Sequence, residues 1–104
     1  MTTFVRAASL SDLPVNGMLG VVLNGQRIAL FRTDHQIYAT SNICSHDEAT
    51  LTEGWLEAED CTIECPLHGA RFDFRDGRAL TLPAYQPISV FPTKIEADAI
   101  WVEL

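Results

Sequence analysis

The sequence has no long apolar run: no window of its 104 residues approaches eighteen consecutive apolar positions, so no membrane-spanning helix is expected. The amino terminus, Met1-Thr2-Thr3-Phe4-Val5-Arg6, lacks the basic stretch and apolar segment of a secretory leader. The expectation is a soluble, unexported, cytoplasmic protein with no membrane partner. Cations are scarce as well. Seven Lys and Arg face 14 Asp and Glu, a net charge of −7, which argues against nucleic acid as a partner because phosphate binding needs a basic patch. There is no dinucleotide fingerprint, no G-x-S-x-G elbow and no mononuclear-iron triad with open positions. One domain, residues 1–104, leaves no room for a catalytic unit, so an enzyme is not expected.

Long 3.6-period segments are missing too, and short strand-like runs take their place, which reads as all-β. Met18 to Leu23 and Arg27 to Thr33 are joined through Asn24-Gly25, a hairpin turn in which both residues tolerate positive φ. Asp34-His35 then turns into Gln36 to Thr40, and His35 reads as an exposed turn residue. Pro92 to Glu96 and Ala99 to Leu104 flank Ala97-Asp98, with Ile100, Val102 and Leu104 alternating against Trp101 and Glu103 as in a half-buried strand. A short helix early in residues 47–53 has little support.

Two mixed loops stand out from this plain frame. Cys44-Ser45-His46 and, after eighteen residues, Cys65-Pro66-Leu67-His68-Gly69 each offer one thiolate and one imidazole. Such loops can each bridge two irons of a [2Fe–2S] cluster, the cysteines on one iron and the histidines on the other. A structural zinc site is the plain alternative, but zinc fingers pair like ligands within each loop, as C-x₂₋₄-C and H-x₃₋₅-H. With two of three cysteines assigned to metal, only Cys61 remains and no intramolecular disulfide can form beside the cluster, which suits a reducing compartment. The period of two in Cys61-Thr62-Ile63-Glu64-Cys65 puts Cys61 and Ile63 on the face Cys65 shares, so Cys61 is expected to be a small buried hydrophobe rather than a redox thiol.

The pattern C-x-H … C-x-x-H resembles the Rieske-type ferredoxins of bacterial multicomponent ring-hydroxylating oxygenases. The likeness extends through Ile37-Tyr38-Ala39-Thr40, Glu53-Gly54-Trp55-Leu56, Phe72-Asp73 and Leu82-Pro83-Ala84. It implies an antiparallel β-sandwich base, about residues 1–41 and 82–104, with an inserted cluster-binding subdomain at about 42–81. It also implies that Cys44, His46, Cys65 and His68 hold the cluster, with the histidines at the tip as the electron exit. The function implied is a monomeric one-electron carrier between a ferredoxin reductase and a terminal oxygenase. A small subunit of assimilatory nitrite reductase is the rival within the same redox class, and a zinc-stabilised binding module the rival outside it.

Departures from the high-potential members bear on the potential. Those members carry two further cysteines, which form a disulfide across the loops, and Ser and Tyr hydroxyls that donate to the cluster; this chain has Ala49 and Leu67, and Ala70 and Phe72, at those positions. Fewer donors to the reduced cluster predict a potential near the low end of the Rieske range, on the order of −150 mV. Pro83-Ala84-Tyr85-Gln86-Pro87 resembles the loop that covers the cluster. Between His46 and Cys65 lie Asp47, Glu48, Glu53, Glu57, Glu59, Asp60 and Glu64, half of the acids, with no Lys or Arg among them. Two readings stay open for this run: a solvated hairpin that aids solubility, and an acidic docking face that speeds encounter with redox partners.

Overall fold

The computed structural model describes residues 3–44, 49–67, 69–81 and 86–104. Asn24 and Gly25 adopt φ of 50° and 81°, the double left-handed turn that matches strand twist, and they join β2 (Met18–Leu23) to β3 (Gln26–Arg32) in register Leu23↔Gln26. After the turn at Asp34 and the exposed His35, β4 (Ile37–Ser41) pairs back on β3. Ala97 and Asp98 make the same kind of turn, with φ of 52° and 59°, between β9 (Thr93–Glu96) and β10 (Ala99–Glu103). Both predicted hairpins are therefore present.

Two sheets form the larger part. One has the order β1-β10-β9, where β1 (Phe4–Ser9) pairs antiparallel with β10; the other has the order β2-β3-β4-β8, where β8 is Val90–Phe91. Pro92 explains the break between β8 and β9: it has no N–H for a ladder, and the chain changes sheets there while its carbonyl still accepts the Glu103 N–H at 2.9 Å. Between the sheets Ala8, Leu13, Leu23, Ile28, Leu30, Ile37, Ala39, Ile100 and Val102 close one core.

A third sheet, β5-β6-β7, comprises Trp55–Glu57, Thr62–Glu64 and Arg71–Asp73. It shares a second core with β3, because alternate β3 residues point opposite ways: Ile28 and Leu30 enter the first core, Ala29 and Phe31 the second. That is why Ile28-Ala29-Leu30-Phe31 is apolar without alternation, as expected of a strand covered on both faces. Phe31 stacks on Phe74 at 4.6 Å and 6°, tying the third sheet to the rest.

One local expectation changes. Cys61 is not in the strand: it closes a turn at φ 57°, its N–H donating to Ala58, and it is half-buried against the second core. Its carbonyl accepts the Phe74 N–H at 3.0 Å, and this tertiary bond holds the left-handed residue that period-two reading cannot anticipate. Ile63 and Cys65 do share a buried face. The helix considered early in residues 47–53 falls on Asp47 and Glu48, which lie outside the described residues; at the end of that segment stands a single 3₁₀ turn, Leu51–Glu53, held by fully buried Leu51.

Candidate metal centre

The first ligand loop grows from the end of β4. Asn42 is its clamp: its main-chain N–H donates to Arg27 O and its carbonyl accepts from Leu51, while its side-chain Oδ1 accepts the Thr52 N–H at 2.9 Å and Nδ2 donates to Thr52 Oγ1 at 3.0 Å. Ile43 and Thr50 form an isolated bridge, Arg27 Nη2 donates to Thr50 Oγ1, and the Cys44 N–H donates to Ala49 O at 2.9 Å. The second loop caps the β6–β7 hairpin and closes in the same way, with the Cys65 N–H donating to Ala70 O at 2.7 Å. Gly69 takes φ 69° inside it, a region open to glycine at little cost. Each Cys-to-Ala pair thus pins both ends of a six-residue loop.

Both thiols are buried, Cys44 at 3% and Cys65 at 0% exposure, and both belong to one apolar cluster with Ala49, Leu51, Ile63, Ala70 and Phe72. Neither is in a disulfide. The donor set fits iron–sulfur chemistry: two thiolates in an apolar interior need a compensating cation, and iron supplies one. His46 and His68 lie outside the described residues, as do Pro83, Ala84 and Tyr85 of the expected covering loop. Among the described residues alone, no group of three or more His, Cys, Asp and Glu is placed to hold a metal. Ala70 and Phe72 are fully buried beside the second loop, and neither offers a hydroxyl there.

Several supporting residues carried no strong sequence signal. Gly54 follows the 3₁₀ turn that leaves the first loop, and it packs on Glu64, the residue before Cys65. Asn42 could be suspected only as a polar residue beside an apolar one. Asp73, at the far end of β7, accepts Arg75 Nε at 3.0 Å and Nη2 at 2.6 Å, with Arg78 at 3.6 Å. These hydrogen bonds hold its carboxyl below the ordinary carboxylate range, against the upward push of burial, and raise the Arg75 value in turn.

Glu57 of β5, Glu53 before it and Glu59 and Asp60 in the turn after it are exposed, with Glu64 of β6 half-buried. Trp55, at 59% exposure, lies opposite Glu64 in register and leaves an indole among these acids. No helix of the described residues is long and apolar enough to cross a membrane.

Comparison with known proteins agrees with this geometry. Residues 3–92 match the family model of the Rieske [2Fe–2S] domain. The chain is 41% identical over 101 residues to the ferredoxin component of a naphthalene 1,2-dioxygenase system from Pseudomonas aeruginosa, covering 97% of this chain and 95% of that one. The solved ferredoxin of carbazole 1,9a-dioxygenase from Nocardioides aromaticivorans IC177 superposes with a TM-score of 0.91 at 37% identity, over 96% of each chain. A second solved structure, a complex of reduced oxygenase and oxidised ferredoxin in carbazole 1,9a-dioxygenase, matches with a TM-score of 0.87 at 31% identity, over 95% of this chain and 91% of that one. Iron–sulfur relatives at this coverage set aside the zinc module, and the dioxygenase-type relatives favour the ferredoxin over the nitrite reductase subunit. The chain belongs to the Rieske [2Fe–2S] family as an electron carrier of the dioxygenase-ferredoxin type, with no catalysis of its own.

Proposed function

We propose that this chain takes one electron from a ferredoxin reductase and delivers it to the Rieske centre of a terminal ring-hydroxylating oxygenase. Cys44 and Cys65 would hold one iron of the cluster, and His46 and His68 the other. The observation that carries the reading is the pair of buried, unoxidised thiols at the roots of two loops closed by equivalent backbone bonds. A bound Rieske cluster supplies reversible one-electron storage, with histidine ligation raising its potential above that of four-cysteine clusters. The chain's own residues hold it: the loop clamps limit rearrangement on electron gain, and Ala49, Leu51, Ala70 and Phe72 keep water from the thiolates.

The domain reading that accompanies this is a base of about residues 1–41 and 82–104 carrying a cluster-binding subdomain of about 42–81, and the separate third sheet supports it. The protein acts as a cytoplasmic monomer with a midpoint on the order of −150 mV. Its acidic outer face, which includes the exposed Trp55, meets a basic surface on the oxygenase, and the carbazole-system relative named in complex with its oxygenase supports a direct encounter of this kind.

The test is a reconstituted electron-transfer assay. Purified holoprotein, reduced by a flavin reductase and mixed with a ring-hydroxylating oxygenase, should reoxidise at a rate that falls steeply as salt rises. Cys44→Ala and Cys65→Ala proteins should lack visible absorbance and acid-labile sulfide. A wild-type cluster spectrum in either variant would overturn the ligand assignment, and a salt-independent rate would overturn the acidic docking face.

A further inference from the structure

We propose that Arg71 raises the reduction potential of the centre by holding a positive charge beside it that no carboxylate pairs directly. Arg71 is the first residue of β7, directly after the second ligand loop, and its backbone is fixed on both sides: its N–H donates to Thr81 Oγ1 at 3.0 Å and its carbonyl accepts the Leu80 N–H at 2.8 Å. Its guanidinium turns along the sheet, Nη2 reaching Thr62 Oγ1 at 3.4 Å. Its Nε is buried and has no hydrogen-bond partner, the one such side-chain atom among the described residues.

No carboxylate pairs directly with this cation. Glu64 lies opposite Arg71 in register, yet among the described residues no carboxylate oxygen comes within 4.0 Å of the guanidinium. Asp73, the cross-strand neighbour of Thr62, is taken by Arg75 and Arg78, the other two cations of residues 42–81. With no anion hydrogen-bonded to its buried Nε, the guanidinium keeps its field, and that field acts on negative charge arriving at the centre. The cluster gains one such charge on reduction.

Thr62 is three strand residues from Cys65, which puts the guanidinium roughly 10 Å from the inner thiolate. At that distance, with an effective dielectric of about 40, the charge favours the reduced state about fourfold. It opposes the depression caused by the missing hydroxyl donors and the surrounding acids. Arg71 touches no ligand, so it acts on the centre at a distance through its field.

The inference rests on the ligand assignment above, and one experiment separates the two. Midpoints of the holoprotein are measured by spectroelectrochemical titration for wild type, Arg71→Gln, Arg71→Lys and Thr62→Val. At the wild-type midpoint, the ratio of reduced to oxidised Arg71→Gln protein should fall from one to about one quarter. Arg71→Lys, which keeps the charge, and Thr62→Val, which removes only the hydrogen-bond partner, should stay at wild type. An unshifted Arg71→Gln protein with an intact cluster spectrum overturns the proposal, as does a Thr62→Val shift of the same size or a lowered Arg71→Lys midpoint. Should Arg71→Gln fail to assemble, Arg71→Met keeps the packed stem and carries the same expectation; failure of both makes Arg71 a folding residue and also overturns it. An error in the ligand assignment would show instead as cluster colour in the cysteine variants.

Discussion

Gly54 lies directly against the backbone of Glu64: a Cβ at position 54 would fall 1.9 Å from the Glu64 carbonyl oxygen. This approach joins the exit of the first ligand loop to the entry of the second, since Trp55 pairs with Glu64 and Cys65 follows. Gly54→Ala is therefore expected to destabilise the protein by about 3 kcal/mol, the upper end for overpacking, because the obstacle is main chain and cannot rotate away. Urea unfolding followed by circular dichroism checks the stability. Cluster content per protein checks the spacing of the loops, and it should fall as well.

Asp73 is buried, while Arg75, its bidentate partner, is half-exposed. Arg75 hydrogen bonds hold the Asp73 carboxyl below its ordinary value, so the charged form is favoured in the folded state. The sign follows from that depression: the stabilisation is fully present above the unfolded carboxylate value of about 3.9 and is lost as pH falls through the folded value. Asp73→Asn should be less stable than wild type at pH 7 by about 1–2 kcal/mol, because Arg75 can rehydrate when its partner is gone. The gap should narrow only once pH falls below about 3.9, as measured by denaturant midpoints from pH 7 to pH 3.

Ala97 occupies a left-handed conformation, φ 52°, that the β9–β10 turn imposes and that its Cβ disfavours. Ala97→Gly is expected to raise stability by about 1 kcal/mol, read as a higher urea midpoint with an unchanged cluster spectrum. A loss of stability would show that the unfolded-chain entropy of glycine outweighs the relieved strain.

Phe72 is fully buried one residue after Arg71 and carries no hydroxyl. Phe72→Tyr should raise the midpoint by on the order of 50 mV if the new hydroxyl donates to the centre, since one hydrogen bond is worth about 1 kcal/mol. Redox titration provides the number. Lowered stability with no change in potential would mean that the hydroxyl is buried without an acceptor.

Local signals made much of the protein legible in advance. Asn24-Gly25 needs nothing distant to form its turn, alternation in Ile100 to Leu104 is a property of one strand, and the Cys-His spacing of each loop is set by covalent reach. From these came the all-β class, two hairpins, the candidate ligand loops and the family. What stayed hidden depended on strands far apart in sequence. β1 pairs with β10, and the two-residue β8 exists only because β4 offers it an edge. Cys61 looked like a strand residue until Phe74 claimed its carbonyl, and a left-handed turn followed. Composition and spacing therefore determined which chemistry the chain carries, because those depend on neighbouring residues. Only the tertiary structure decided that Gly54 must meet Glu64 and that Arg71 pairs directly with no carboxylate of the described residues, because packing between elements sets which groups are paired, and local sequence does not encode it.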